Sequence, residues 1–139
     1  MTPALAPRLV LAVAAGGAVG ALARWALTEA WPAEADGFPW ATFAINVVGS
    51  FLLALLPALA VARRHRVVAV ALGPGVLGGF TTLSAYSEQA RALLDAGRTG
   101  VALVYLLGTL AACLVAVAVA DHWSTAVERS AFSAEGGDE

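Results

Sequence analysis

The chain has 139 residues, 60% of them apolar, a formal net charge of −2 and a mean hydropathy of +0.79. A soluble domain this small has no interior large enough for that much apolar surface, so the class is an all-α membrane protein. The slightly acidic balance excludes a nucleic-acid partner, and a single cysteine excludes an intrachain disulfide or a cysteine metal cluster.

At about 20 residues per span, four spans fill the chain and leave no room for a soluble catalytic domain. The eight basic residues are all arginine, from which nothing functional follows. The first span covers about residues 9–27. Arg8 precedes an apolar run that outlasts the hydrophobic part of a signal peptide, so this is a span and not a cleaved leader. Gly16 and Gly20 lie four apart with Gly17 and Ala21 beside them, a spacing that lets helix backbones approach closely in lipid. Arg24, near the end of the span, either snorkels to the interface or helps to bring in an anion. The loop that follows carries Glu29, Glu34 and Asp36, flanked by Trp25, Trp31 and Trp40, which suit the aromatic belt of a membrane interface.

The second span covers about residues 40–62. Thr42, Asn46, Gly49, Ser50 and Pro57 make a polar and small stripe at helical spacing. An amide in mid-span must be hydrogen-bonded. Asn46 is therefore an interhelical clamp or a pore-lining donor to an anion, and its polar neighbours favour the pore. Arg63, Arg64, His65 and Arg66 form the most basic point of the chain, cytoplasmic by the positive-inside rule and able to touch anionic lipid headgroups.

The third span, about residues 67–94, is built to be interrupted. Pro74 lacks an amide proton, and Gly73, Gly75, Gly78 and Gly79 add backbone freedom. Thr81, Thr82 and Ser84 then supply hydroxyls that can bond freed backbone groups or a passing ion. The pattern predicts helix over 67–77, a break near 78–82 and helix again from Leu83. Irregular backbone at membrane depth survives only buried in protein or lining a polar cavity, so residues 73–88 are the expected functional centre. Glu88, Arg91 and Asp95 fall at ion-pair spacing on a solvated face. The fourth span, about residues 99–120, sets Tyr105, Thr109 and Cys113 on one face. The acidic tail 121–139 is expected to be disordered at its end.

An enzyme is excluded. No Asp, Glu, Lys or His stands near the centre of a span, no phosphate-loop, zinc-helix or nucleophile-elbow motif occurs, and His65 and His122 lie far apart in loops. A small proton-coupled multidrug exporter shares the size and span count but calls for an acidic residue in the first span, and none is there. A non-conducting assembly subunit is disfavoured by the polar stripes of spans two and four.

Three segments together carry a resemblance. Residues Gly17 to Arg24 (GAVGALAR), Phe43 to Phe51 (FAINVVGSF) and Gly78 to Tyr86 (GGFTTLSAY) resemble the Fluc (CrcB) fluoride channels, over about residues 9–120. The resemblance implies an antiparallel dimer of four-span subunits, a broken third helix, and passive export of fluoride through pores along the subunit interface. It implies a structural sodium ion at the dimer centre, held by the backbone carbonyls of Gly78 and Thr81. It carries a pore-lining amide onto Asn46, a polar track onto Tyr105 and Thr109, and the family's span-one arginine onto Arg24, and it brings Ser84 into the pore segment. Two pore phenylalanines are the family's habit after the paired threonines, and here those positions hold Leu83 and Tyr86. Cys113 and Val117 stand where hydroxyls are usual, and Glu88 comes one residue early. The implied location is the inner or plasma membrane of a prokaryote, multi-pass. Arg8, Arg63, Arg64, Arg66 and Arg129 would share one side, facing Arg24, Arg91 and Arg98 on the other, so both termini are expected inside. The partner is a second copy or, favoured by this bias and by Leu83 and Tyr86, a paralogous subunit.

Overall fold

The computed structural model of the chain describes residues 6–34 and 37–135, with residues 126–135 described by backbone alone. Asp36 and the end of the tail therefore lie outside the described residues, as does the side chain of Arg129. Every regular element among the described residues is helical. Four helical stretches are long and apolar enough to cross a membrane: Pro7–Ala30, Trp40–Ala58, Arg66–Asp95 and Thr99–Thr125.

Helix α1 (Pro7–Ala30) opens with proline at its first position, where the missing amide costs nothing. Helix α2 (Trp40–Leu55) passes into a 3₁₀ turn, Leu56–Ala58, and then the short α3 (Ala60–Arg64). The second span thus stops earlier than the hydropathy alone indicates. Pro57 cannot donate to the Leu53 carbonyl, and the Leu56 amide takes that carbonyl in a tighter turn. Arg63 turns back, its Nη1 donating to the carbonyls of Pro57 and Ala58, each at 2.9 Å. One arginine of the basic loop thereby caps the carbonyl end of the span.

The third span begins as α4 (Arg66–Val70), widens into a π-helical segment (Ala71–Leu77) and closes with α5 (Gly78–Phe80). Pro74 and its glycines therefore widen the helix rather than end it, the looser turns accommodating a residue without an amide proton. The helical path stops later, where Thr81 (φ −74°, ψ 158°) and Thr82 (φ −149°, ψ 117°) are extended. Helix α6 (Leu83–Asp95) then starts with Thr82 as its cap, the Thr82 Oγ1 accepting from the Ala85 amide. Gly97 at φ +72° makes the turn into α7 (Thr99–Glu135), which stays helical well past residue 120.

Helix α1 lies directly on the π-helical backbone. A Cβ on Gly16 would fall on the Ala71 carbonyl oxygen, one on Gly20 on that of Val76, and one on Gly79 on that of Gly17. Glycine is what allows this approach, in lipid where close packing drives association. On the other side α2 and α6 pack on α7 around Ala90, Leu93, Ala102 and Tyr105, with Phe38 edge-on to the Tyr105 ring at 5.3 Å. Only 17–22% of each span is buried within the subunit. Most of the apolar surface thus faces outward, for lipid or a partner to cover.

Candidate functional site

The two extended threonines are held by one side chain. Asn46, in the middle of α2, accepts the Thr82 amide on Oδ1 at 2.8 Å and donates from Nδ2 to the Thr82 carbonyl at 3.0 Å. The carboxamide pairs with Thr82 as a neighbouring strand would, replacing the bonds that a continuous helix makes internally. Its second Nδ2 hydrogen remains. Gly49, one turn further on, leaves room for the Thr81 side chain, whose hydroxyl bonds the Leu77 carbonyl at 2.9 Å.

This clamp frees two carbonyls. The helical donor to the Gly78 oxygen would be the Thr82 amide, which Asn46 takes. The donor to the Thr81 oxygen would be the Ala85 amide, which the Thr82 hydroxyl takes at 3.1 Å. On the far side, the Nε of Arg24 donates to the Gly79 carbonyl at 3.2 Å. Arg24 is not on the wall of the groove described next. It places its charge at the carbonyl end of α5, where a cation is favoured.

Asn46, Ser50, Thr81, Thr82, Tyr86, Thr109 and Cys113 share an open groove of about 270 Å³, with Leu53, Leu83 and Leu110 completing its walls. The Thr109 hydroxyl is buried there without a partner among the described residues. Tyr86 donates to the Leu106 carbonyl at 2.6 Å and its ring lies 5.1 Å from that of Tyr105, which fixes it against α7. Leu83 projects outward and is 76% exposed. Ser84 bonds with the Thr82 hydroxyl at 3.2 Å and stays at the edge of the site. Tyr105 is fully buried and donates to Gln89 Oε1 at 2.8 Å. It stands behind Tyr86 and does not line the groove. Of the sequence candidates, then, Asn46, Thr81, Leu83, Tyr86 and Thr109 come together, while Arg24, Gly78, Ser84 and Tyr105 support them from outside. The part not read from sequence was Gln89, while Thr82, read there only as a hydroxyl for freed backbone groups or a passing ion, proves to be the cap of α6. Gln89 follows Tyr86 by three residues on the same helical face, and Thr82 stands where a helix cap belongs, two signals that do identify them.

A model of the family described as CrcB-like protein, Camphor Resistance (CrcB), matches residues 11–120, which includes every residue of the groove. The chain belongs to the CrcB family. It is 40% identical over 132 residues to the "Fluoride-specific ion channel FluC 2" of Nocardia farcinica, covering 91% of this chain and 94% of that one. It is 44% identical over 111 residues to the "Fluoride-specific ion channel FluC 1" of Streptomyces coelicolor, covering 78% and 72%. It is also 45% identical over 114 residues to the "Fluoride-specific ion channel FluC" of Anaeromyxobacter sp. strain K, covering 77% and 87%. In this CrcB-family chain the groove carries hydroxyl, amide and thiol groups and no carboxylate or imidazole.

Proposed function

We propose that the chain is a subunit of a passive fluoride channel in a prokaryotic inner or plasma membrane, carrying fluoride out of the cytoplasm. The observation that carries the reading is the groove itself. Thr109, whose buried hydroxyl has no partner among the described residues, and Asn46, with an N–H to spare, stand on the wall of an open groove that also carries Ser50, Thr81 and Thr82. Hydrogen-bond donors without fixed charge suit a small anion that must bind and leave. With no titratable group of ordinary proton-carrying kind on the groove wall, coupling to protons has no residue to run on, so the transport is downhill.

The groove is open along one side, which supports a pore completed by a second subunit. The Gly78 and Thr81 carbonyls, freed of their amide donors, suit a hard cation that takes oxygen ligands, and a sodium ion shared with the partner's equivalent carbonyls would cancel their partial charge. What such an ion supplies is cohesion at the centre of the dimer. The subunits run antiparallel. Leu83 at 76% exposure offers the neighbour an aliphatic surface with no aromatic edge. A partner with phenylalanines at those positions would restore it, which favours a paralogue over a second copy. Fluoride efflux from liposomes holding the purified chain, alone and with a paralogous subunit, tests the proposal. Efflux that is selective for fluoride over chloride supports it. Proton-driven uptake, or no anion flux in either preparation, overturns it.

A further inference from the structure

A second concavity lies on the outer surface, away from the groove. Helix α1 and the third span leave between them a channel of about 460 Å³ lined by Val10, Val13, Ala14, Val70 and Pro74, with Arg66 at its mouth. Five of these residues offer hydrocarbon alone from their side chains. Arg66 is exposed and makes no hydrogen bond or ion pair with a described residue, whereas Arg63, three residues earlier, is turned onto the carbonyls of Pro57 and Ala58. Along the third span, Arg66 to Pro74 extends about 12 Å at 1.5 Å per residue, most of the ~15 Å depth of one leaflet's hydrocarbon.

An apolar channel one leaflet deep, closed at the interface by an uncommitted cation, matches an anionic phospholipid. We propose that this is a bound-lipid site: the acyl chain lies between α1 and the third span and the phosphate accepts from the Arg66 guanidinium. Basic pockets between membrane helices take anionic headgroups in this way. Val13 and Val70 of the channel wall also border the contact of α1 with the π-helical backbone, where a Cβ on Gly75 would lie 3.2 Å from each of their carbonyl oxygens. A lipid seated there covers the outer seam of that contact, and the site stands whatever ion the groove conducts.

Native mass spectrometry of the full chain, released from vesicles of equal phosphatidylglycerol and phosphatidylcholine, tests the assignment. Phosphatidylglycerol should be retained over phosphatidylcholine. Arg66→Gln should lower that preference about fivefold, the weight of one basic residue at an anionic surface, and Arg66→Lys should restore part of it. Arg64→Gln makes the same charge change outside the channel and should leave the preference intact. Ala14→Leu, which fills the channel and spares the arginine, should reduce retention of both lipids. Equal loss in Arg64→Gln and Arg66→Gln would reduce the effect to general charge and overturn the site. So would displacement of the lipid by inorganic phosphate, or a photoreactive residue at position 10 that captures a second chain instead of lipid.

Discussion

The Asn46 side chain and the Thr82 peptide groups exchange two hydrogen bonds, at 2.8 and 3.0 Å, across 36 positions of sequence. One carboxamide thereby holds the only pair of extended residues between Arg66 and Asp95, and it does so at the wall of the groove. Clamp and pore donor were alternatives at the level of sequence. In the folded chain one amide has the hydrogens and lone pairs for both.

Asn46→Leu removes both of Thr82's partners at once. A buried N–H and C=O left unpaired cost about 1–3 kcal/mol each, so the thermal midpoint in detergent should fall and fluoride efflux should drop to background, with helix content retained. Asn46→Asp keeps the acceptor for the Thr82 amide but loses the donor and adds a negative charge beside the path. It should be folded and closed to anions. Efflux near the wild-type rate in either variant would mean the groove is not the conduction path.

Much of this arrangement is legible from the residues. The four spans follow from hydropathy, the α1 contact from Gly16 and Gly20, and the ion pairs of Arg91 with Glu88 and Asp95 from their spacing. Pro74 misled only about the form of the helix expected over 67–77, which is π-helical from Ala71 to Leu77. Proline and glycine signal a break, but a helix with room to widen absorbs them, and whether it has room depends on α1 lying alongside. The extended residues are the two threonines at the end of the expected break near 78–82, because Asn46 offers Thr82 bonds from another helix. Tyr105 misled for a related reason. Its spacing with Thr109 is right for one face, yet Tyr86 stands in front of it, and that order depends on how α6 packs on α7.

Gly20 and Gly17 separate close packing from mere flexibility. A Cβ at Gly20 meets the Val76 carbonyl and, at 2.8 Å, the Phe80 amide nitrogen, whereas one at Gly17 has nothing closer than 3.9 Å. Gly20→Ala should destabilise by about 1–3 kcal/mol, as overpacking does. Gly17→Ala should be neutral or slightly stabilising through helix propensity. Thermal unfolding of the two variants in one detergent measures the difference, and similar midpoints would mean that the α1 contact is looser than its geometry.

Arg24 is expected to act through the Gly79 carbonyl. Arg24→Gln loses a charged hydrogen bond, worth about 1.5–3 kcal/mol, and the compensation of the α5 carbonyl end. Stability and efflux should fall together, with partial recovery in Arg24→Lys. If Arg24→Gln leaves stability unchanged and only weakens the dependence of efflux on fluoride concentration, the arginine is an anion ligand instead.

Gly78→Val separates the subunit from its assembly. A Cβ there lies 3.8 Å from the Gly73 carbonyl, ordinary contact distance, and the residue is exposed, so the isolated subunit should tolerate the change. A partner chain crossing at this point would not. The dimer should dissociate in size-exclusion chromatography at concentrations where the wild type holds, and any protection by sodium should go with it. An intact dimer with unchanged sodium dependence would remove the central ion from the scheme.

The remaining prediction is the orientation of the chain. Arg63, Arg64 and Arg66 are concentrated within four positions between two spans, and Arg8 stands at the same end of α1. Each basic residue near a span end holds its loop in the cytoplasm. Although Arg63 is engaged with the Pro57 and Ala58 carbonyls, its charge remains on that side. The loop should therefore be cytoplasmic, with both termini, in essentially all copies. A chain with one orientation cannot build the proposed antiparallel dimer with itself, and on that proposal it would need a partner inserted the other way. Position 65 is exposed and makes a suitable probe. His65→Cys, in a chain whose groove cysteine is removed by Cys113→Ser, should resist a membrane-impermeant thiol reagent added to intact cells and react fully once the membrane is opened. Labelling of about half the copies from outside would show dual insertion. The preference for a paralogous partner would then fall, and the same chain in both orientations would supply the dimer.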